Sequence, residues 1–144
     1  MSSPDDLVAD DMPIPGQRIA SKARTVTEAD VVTFAHLTGD LHPIHLDAEW
    51  AKSSHFGERI ASGMLVLSFS LGLADLDHTR VVALRRLRDV VFKRPTPFGT
   101  TIHVDAVIDS VRALSPDVAL VGVRWIIRDA EDKMLVRAFI DVLW

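Results

Sequence analysis

The sequence predicts an α+β domain in which an apolar helix is wrapped by a curved antiparallel sheet. Residues 64–76, MLVLSFSLGLADL, are apolar on nearly every side of a helical projection, so a helix there must be covered all round. The second half of the chain holds four stretches rich in β-branched and aromatic residues, separated by turn formers. A length of 144 residues with 48% apolar composition is enough for one compact core. There is no internal repeat and no low-complexity segment, so residues 16–144 are expected to form a single domain. Residues 1–15 are expected to be loose, because Asp5, Asp6, Asp10 and Asp11 repel one another and Pro13 and Pro15 block regular structure.

Residues 17–26, QRIASKARTV, alternate imperfectly and read as a strand. Thr27 with Asp30 three residues on resembles a capping box, and the helix it opens places Val31, Phe34, Ala35 and Thr38 at helical spacing. Gly39 ends it by permitting a left-handed turn. Pro43 disfavours the α conformation at His42, and Asp47 can cap a second short helix through Glu49, Trp50, Ala51 and Lys52. Residues 53–59 are polar and should run over the surface; Ser62 and Gly63 then open the long apolar helix. Strands follow at 81–92, 101–111, 118–128 and 134–144, the second alternating Ile102, Val104, Ala106 and Ile108 against His103, Asp105, Val107 and Asp109. Breaks at 95–99, 115–117 and 129–133 suit antiparallel neighbours.

Composition excludes several classes of function. A net charge of −4 argues against nucleic acid as principal ligand, since phosphate neutralisation needs a dense basic face. The absence of cysteine excludes disulfides, thiolate metal sites and a cysteine nucleophile, and it agrees with a cytoplasmic setting. The N-terminus lacks the basic and apolar regions of a secretory signal, and the longest apolar run, about 11 residues, falls short of the roughly 20 a membrane span needs.

Chemistry concentrates between Ala35 and Leu67. Asp40, His42, His45 and Asp47 crowd an irregular segment, and Ser62-Gly63 follow at a helix start. Gathered round one cavity, these groups supply an acid, a base and a backbone anion site. Read singly they are ordinary: Asp40 a turn former, His42 a solvated imidazole, Asp47 and Ser62 helix caps. A zinc site is the other reading of the imidazoles and carboxylates, but the helical H-x-x-x-H register is missing. Arg85, Arg86, Arg88, Lys93 and Arg94 form the one basic cluster, either a solvated strand face or a phosphate contact.

Asp40-x-His42-Pro43-x-His45-x-Asp47, then Phe56 and Ile60-Ala61-Ser62-Gly63-Met64-Leu65, resembles the MaoC-like dehydratases, the hotdog-fold (R)-specific enoyl-CoA hydratases. Their pattern reads roughly GDxNPxHxD, then F-x-x-x-I-A-H-G-M-L. Phe92-Lys93-Arg94-Pro95 with Gly99-Thr100 matches a further F-x-x-P-x-x-x-G-D element, so the resemblance runs from about Ala20 to the C-terminus. It implies a hotdog fold with a long central helix, and reversible hydration of trans-2-enoyl thioesters. It implies catalytic roles for Asp40, His45 and Gly63, substrate contacts from His42, Pro43 and Ser62, and no metal or cofactor. The phosphate-bearing carrier, coenzyme A or an acyl carrier protein, could use Arg85, Arg88, Lys93 and Arg94. The expected partners are the acyl thioester and a second copy of the chain, with no nucleic acid and no membrane.

Two positions depart from the pattern: His42 stands for the family's Asn, and Ser62 for the His before the glycine. The serine that assists the histidine in many members aligns with Leu71, with Ser68 and Ser70 nearby. An acyl-thioester hydrolase on the same fold, or a non-catalytic thioester-binding subunit of a heteromeric dehydratase, is the alternative. Such a subunit would usually lack Asp40 or His45.

Overall fold

Four helices and six strands make up the computed structural model, which describes residues 12–144; of the segment expected to be loose, residues 1–11 lie outside the described ones. In chain order the elements are β1 (Arg18–Ile19), β2 (Arg24–Thr25), α1 (Glu28–Thr38), α2 (Pro43–Leu46), α3 (Ala48–Lys52) and α4 (Gly63–Leu73). The four long strands follow: β3 (Ala83–Phe92), β4 (Thr101–Ser115), β5 (Val118–Arg128) and β6 (Met134–Leu143). All pairings are antiparallel, in the order β1-β4-β5-β6-β3, with β2 also on β4. β3 follows α4 in sequence and pairs with β6, leaving its other edge open.

The predicted alternation in β4 is realised: Ile102, Val104, Ala106 and Ile108 are buried. Val121, Val123, Trp125 and Ile127 of β5 and Val136, Ala138, Ile140 and Val142 of β6 join them in one core with Leu65, Val66 and Leu73 of α4. A polar pair inside that core is self-sufficient. Ser70 Oγ donates to the Leu67 carbonyl at 2.6 Å and accepts the Trp125 Nε1–H at 2.9 Å, so neither buried group lacks a partner.

The central helix is shorter than expected. It covers 11 residues and stops at Leu73, because Ala74 turns extended and the chain pairs backwards with 20–22. The Lys22 N–H donates to the Leu73 carbonyl at 2.9 Å, and the Asp75 N–H to the Ala20 carbonyl at 2.7 Å. That pairing also corrects the single strand expected over 17–26. Its middle leaves the sheet to satisfy a helix end, which would otherwise hold unpaired carbonyls, and only β1 and β2 remain. Nor is α4 covered all round: Met64, Ser68 and Gly72 are exposed. Among the described residues no helix is long and apolar enough to cross a membrane.

Candidate active site

Local chemistry builds the segment that carries the acid and the imidazoles. The Thr27 hydroxyl accepts the Asp30 N–H at 3.1 Å and the Asp30 carboxylate accepts the Thr27 N–H at 3.0 Å, so α1 opens on the predicted capping box. Gly39 closes it at φ 78°, a conformation glycine adopts without strain. Asp40 follows at once and is exposed, its N–H directed at the Thr38 hydroxyl.

His42 then does what a helix N-cap does. Its Nδ1 accepts the Ile44 N–H at 3.0 Å, so the proton of the neutral ring sits on Nε2. Pro43, lacking an N–H, opens the single turn of α2 behind it. The His42 ring meets Trp50 edge-on at 5.3 Å and His45 at 6.2 Å. Asp47 caps α3 by accepting the Trp50 N–H at 3.0 Å, as the sequence suggested.

His45 is 9% exposed, and its Nδ1 lies 2.7 Å from the Ile60 carbonyl. A carbonyl cannot donate, so Nδ1 carries a proton, and in the neutral ring the lone pair is on Nε2. Backbone contacts hold that carbonyl in turn. The Ile60 N–H donates to the Ile44 carbonyl at 3.2 Å, Ile60 bridges Pro97, and the Ala61 N–H donates to the Thr96 carbonyl at 2.8 Å.

Ile60 also lines a cleft of about 310 Å³ at the N-terminus of α4. Ser62, Gly63 and Met64 form one wall, Phe92 to Thr96 another, with Phe56 and Val136 completing it. Ser62 occupies the N-cap position without a side-chain cap bond, leaving its hydroxyl free for the cleft. Gly63 is required by close approach: a Cβ there would lie 2.6 Å from two ring atoms of Phe92. Thr96 is 4% exposed.

Of the residues singled out from sequence, Ser62, Gly63, Lys93 and Arg94 share this cleft. Asp40, His42, Pro43 and His45 sit on the adjoining segment, joined to the cleft by the His45–Ile60 hydrogen bond. Arg88 is elsewhere. With Arg86 it grips Asp141, 2% exposed: Arg88 donates from Nε and Nη2 at 2.9 Å, and Arg86 from Nε at 2.7 Å. Burial pushes the Asp141 carboxyl up, but the hydrogen bonds from Arg88 and Arg86 outweigh it and hold the group below the usual carboxylate range. That carboxylate takes the Nε and Nη2 donors of Arg88, while the Arg88 side chain stays partly exposed. Gly122 leaves room for the arrangement, since a Cβ there would fall 3.3 Å from Asp141 Oδ1. Arg85 is exposed on β3, and Arg94 donates to the Met134 carbonyl at 2.7 Å.

Sequence reasoning missed the Ile60 carbonyl, Thr96 and the ring of Phe92 over Gly63. The last two lie in the quoted F-x-x-P element, but nothing local marks their contacts.

The model of the family described as "MaoC like domain" matches residues 11–124. The chain belongs to the MaoC-like domain family. This MaoC-like chain is 32% identical over 83 residues to the (R)-specific enoyl-CoA hydratase of Rhodospirillum rubrum, covering 58% of each protein. Among solved structures it is similar to the monoamine oxidase regulatory protein of Archaeoglobus fulgius, with a TM-score of 0.86, 35% identity and coverage of 91% of this chain and 90% of that one. A Mycobacterium tuberculosis protein described as a double hotdog fold matches with a TM-score of 0.83 and 21% identity, over 93% of this chain and 42% of that one. The fold is therefore the hotdog. The chain spans between 27% and 58% of the length of the first curated relatives it matches.

Proposed function

We propose that this MaoC-like chain catalyses the reversible addition of water to a trans-2-enoyl thioester, or equally the dehydration of an (R)-3-hydroxyacyl thioester. The observation that carries the reading is the His45 Nδ1–Ile60 contact, which presents Nε2 as a proton acceptor beside a carboxylate-bearing segment. Hydration needs water deprotonated as it attacks Cβ and a proton delivered to Cα. Asp40 and His45 serve both transfers by holding a shared water. Charge accumulating on the thioester oxygen is met by the Gly63 N–H at the N-terminus of α4, where the helix dipole adds to it. Lys93 and Arg94, which line the same cleft, suit the phosphates of coenzyme A or of an acyl carrier protein's prosthetic arm.

The working unit is a homodimer or a larger homo-oligomer. Among the described residues β3 leaves one edge unpaired and exposes Leu84 and Leu87, with Val82 exposed just before it, while Leu41, Trp50, Phe56 and Met64 are exposed around the site. Incubation with crotonyl-CoA and with a longer enoyl-CoA, following loss of the conjugated absorbance, tests the activity. A folded protein, dimeric by light scattering, that turns over neither substrate would refute it.

A further inference from the structure

Thr96 lies between Pro95 and Pro97 in the wall of the cleft, with 4% of its surface exposed. Its carbonyl takes the Ala61 N–H at 2.8 Å, and its neighbour Pro97 bridges Ile60. Those backbone contacts hold residue 96 beside the strand that enters α4 two residues later at Gly63. The Thr96 hydroxyl makes no hydrogen bond among the described residues, and its remaining exposed surface opens on the cleft. That hydroxyl is not among the buried side-chain atoms left without a partner, so its oxygen keeps contact with the solvent of the cleft. A ligand entering the cleft would displace that solvent and can take its place as the hydroxyl's partner.

We propose that Thr96 Oγ1 donates a second hydrogen bond to the thioester carbonyl oxygen, beside the Gly63 N–H. This rests on the hydration reading and adds to it a side-chain donor. As the water oxygen bonds to Cβ, the π electron pair shifts towards the thioester oxygen. The pair returns as Cα takes its proton, and no bond to Thr96 is made or broken. Two donors stabilise that transient charge better than one, and the pairing of Ala61 with Thr96 holds them near each other before substrate arrives. Ser62, whose hydroxyl is also uncapped, lies at the rim of the same wall as Gly63.

Two single substitutions separate the hydroxyl from the methyl. Thr96→Val should lower kcat for crotonyl-CoA by about ten- to a hundredfold with KM little changed, while Thr96→Ser stays near wild type. Unchanged kcat in Thr96→Val, or equal losses in both variants, overturns the proposal. A readout independent of turnover uses butyryl-CoA labelled with ¹³C at the carbonyl, a saturated thioester that cannot be hydrated. Its carbonyl stretch on binding should fall in the wild type and move back towards the free value in Thr96→Val. The same frequency in both overturns the second donor even for an active hydratase. A wild type that neither binds butyryl-CoA nor hydrates crotonyl-CoA removes the hydration reading itself, and the proposal with it.

Discussion

Gly63→Ala tests whether close packing or backbone freedom demands the glycine at the head of α4. Its added Cβ would stand 2.6 Å from Phe92 Cδ1 and Cε1 and 3.1 Å from Cζ, where ordinary contact begins at 3.4 Å. The ring must therefore retreat by about 0.8 Å, the difference between 3.4 and 2.6. Phe92 is 48% exposed, so it can swing outward. Overpacking costs about 1–3 kcal/mol, and replacing glycine in a helix returns up to about 1 kcal/mol. Stability in urea should thus fall by no more than about 3 kcal/mol. Activity should fall further, by about a hundredfold, because the displaced ring and the new methyl crowd the N–H assigned to the thioester oxygen. Adding Phe92→Ala removes the obstructing ring and should recover the stability lost to Gly63→Ala. If Gly63→Ala destabilises equally with and without Phe92, the contact is not what requires the glycine.

Asp40→Asn and His45→Gln should each keep the fold by circular dichroism and lower enoyl-CoA hydration at least about a hundredfold, the scale of a positioned acid or base; near wild-type turnover in either folded variant would exclude that residue. His42→Ala removes the cap on the Ile44 N–H and should cost about 0.5–2 kcal/mol in denaturant unfolding, whereas His42→Asn supplies an amide oxygen and should recover most of it. Asp141→Asn should destabilise by about 1–3 kcal/mol at neutral pH, a figure reduced because Arg86 and Arg88 keep partial contact with water. Since the Asp141 carboxyl is held below its ordinary 3.8, its contribution is complete above that pH and fades as pH falls through the lower folded value. Unfolding followed against pH should therefore show wild type and Asp141→Asn converging in acid.

Features fixed by neighbours in sequence were legible, and those fixed by distant partners were not. The Thr27–Asp30 box, the turn at Gly39 and the cap at Asp47 each involve groups within a few residues. The alternation of β4 was visible for the same reason, one face being apolar from Ile102 to Ile108. The end of α4 was not, because it is set by backbone from 20–22, about fifty residues earlier. The same distance hid the fate of Arg88, whose carboxylate partner is 53 residues away in sequence. In the site, the motif named the imidazole and the glycine. It could not show that Ile60 orients one or that Phe92 presses on the other.

That the imidazole is oriented by a main-chain oxygen changes what mutation can reveal. Every residue type at position 60 presents the same carbonyl, so truncating Ile60 alters the wall of the cleft and leaves the acceptor of His45 in place. A survey by alanine substitution would pass over the position that sets the tautomer. The orientation is vulnerable only through the backbone around it, at the pairing of Ala61 with Thr96 and of Ile60 with Ile44 and Pro97. Side chains along that segment are thereby free to diverge and reshape the cleft while the orientation of His45 is kept.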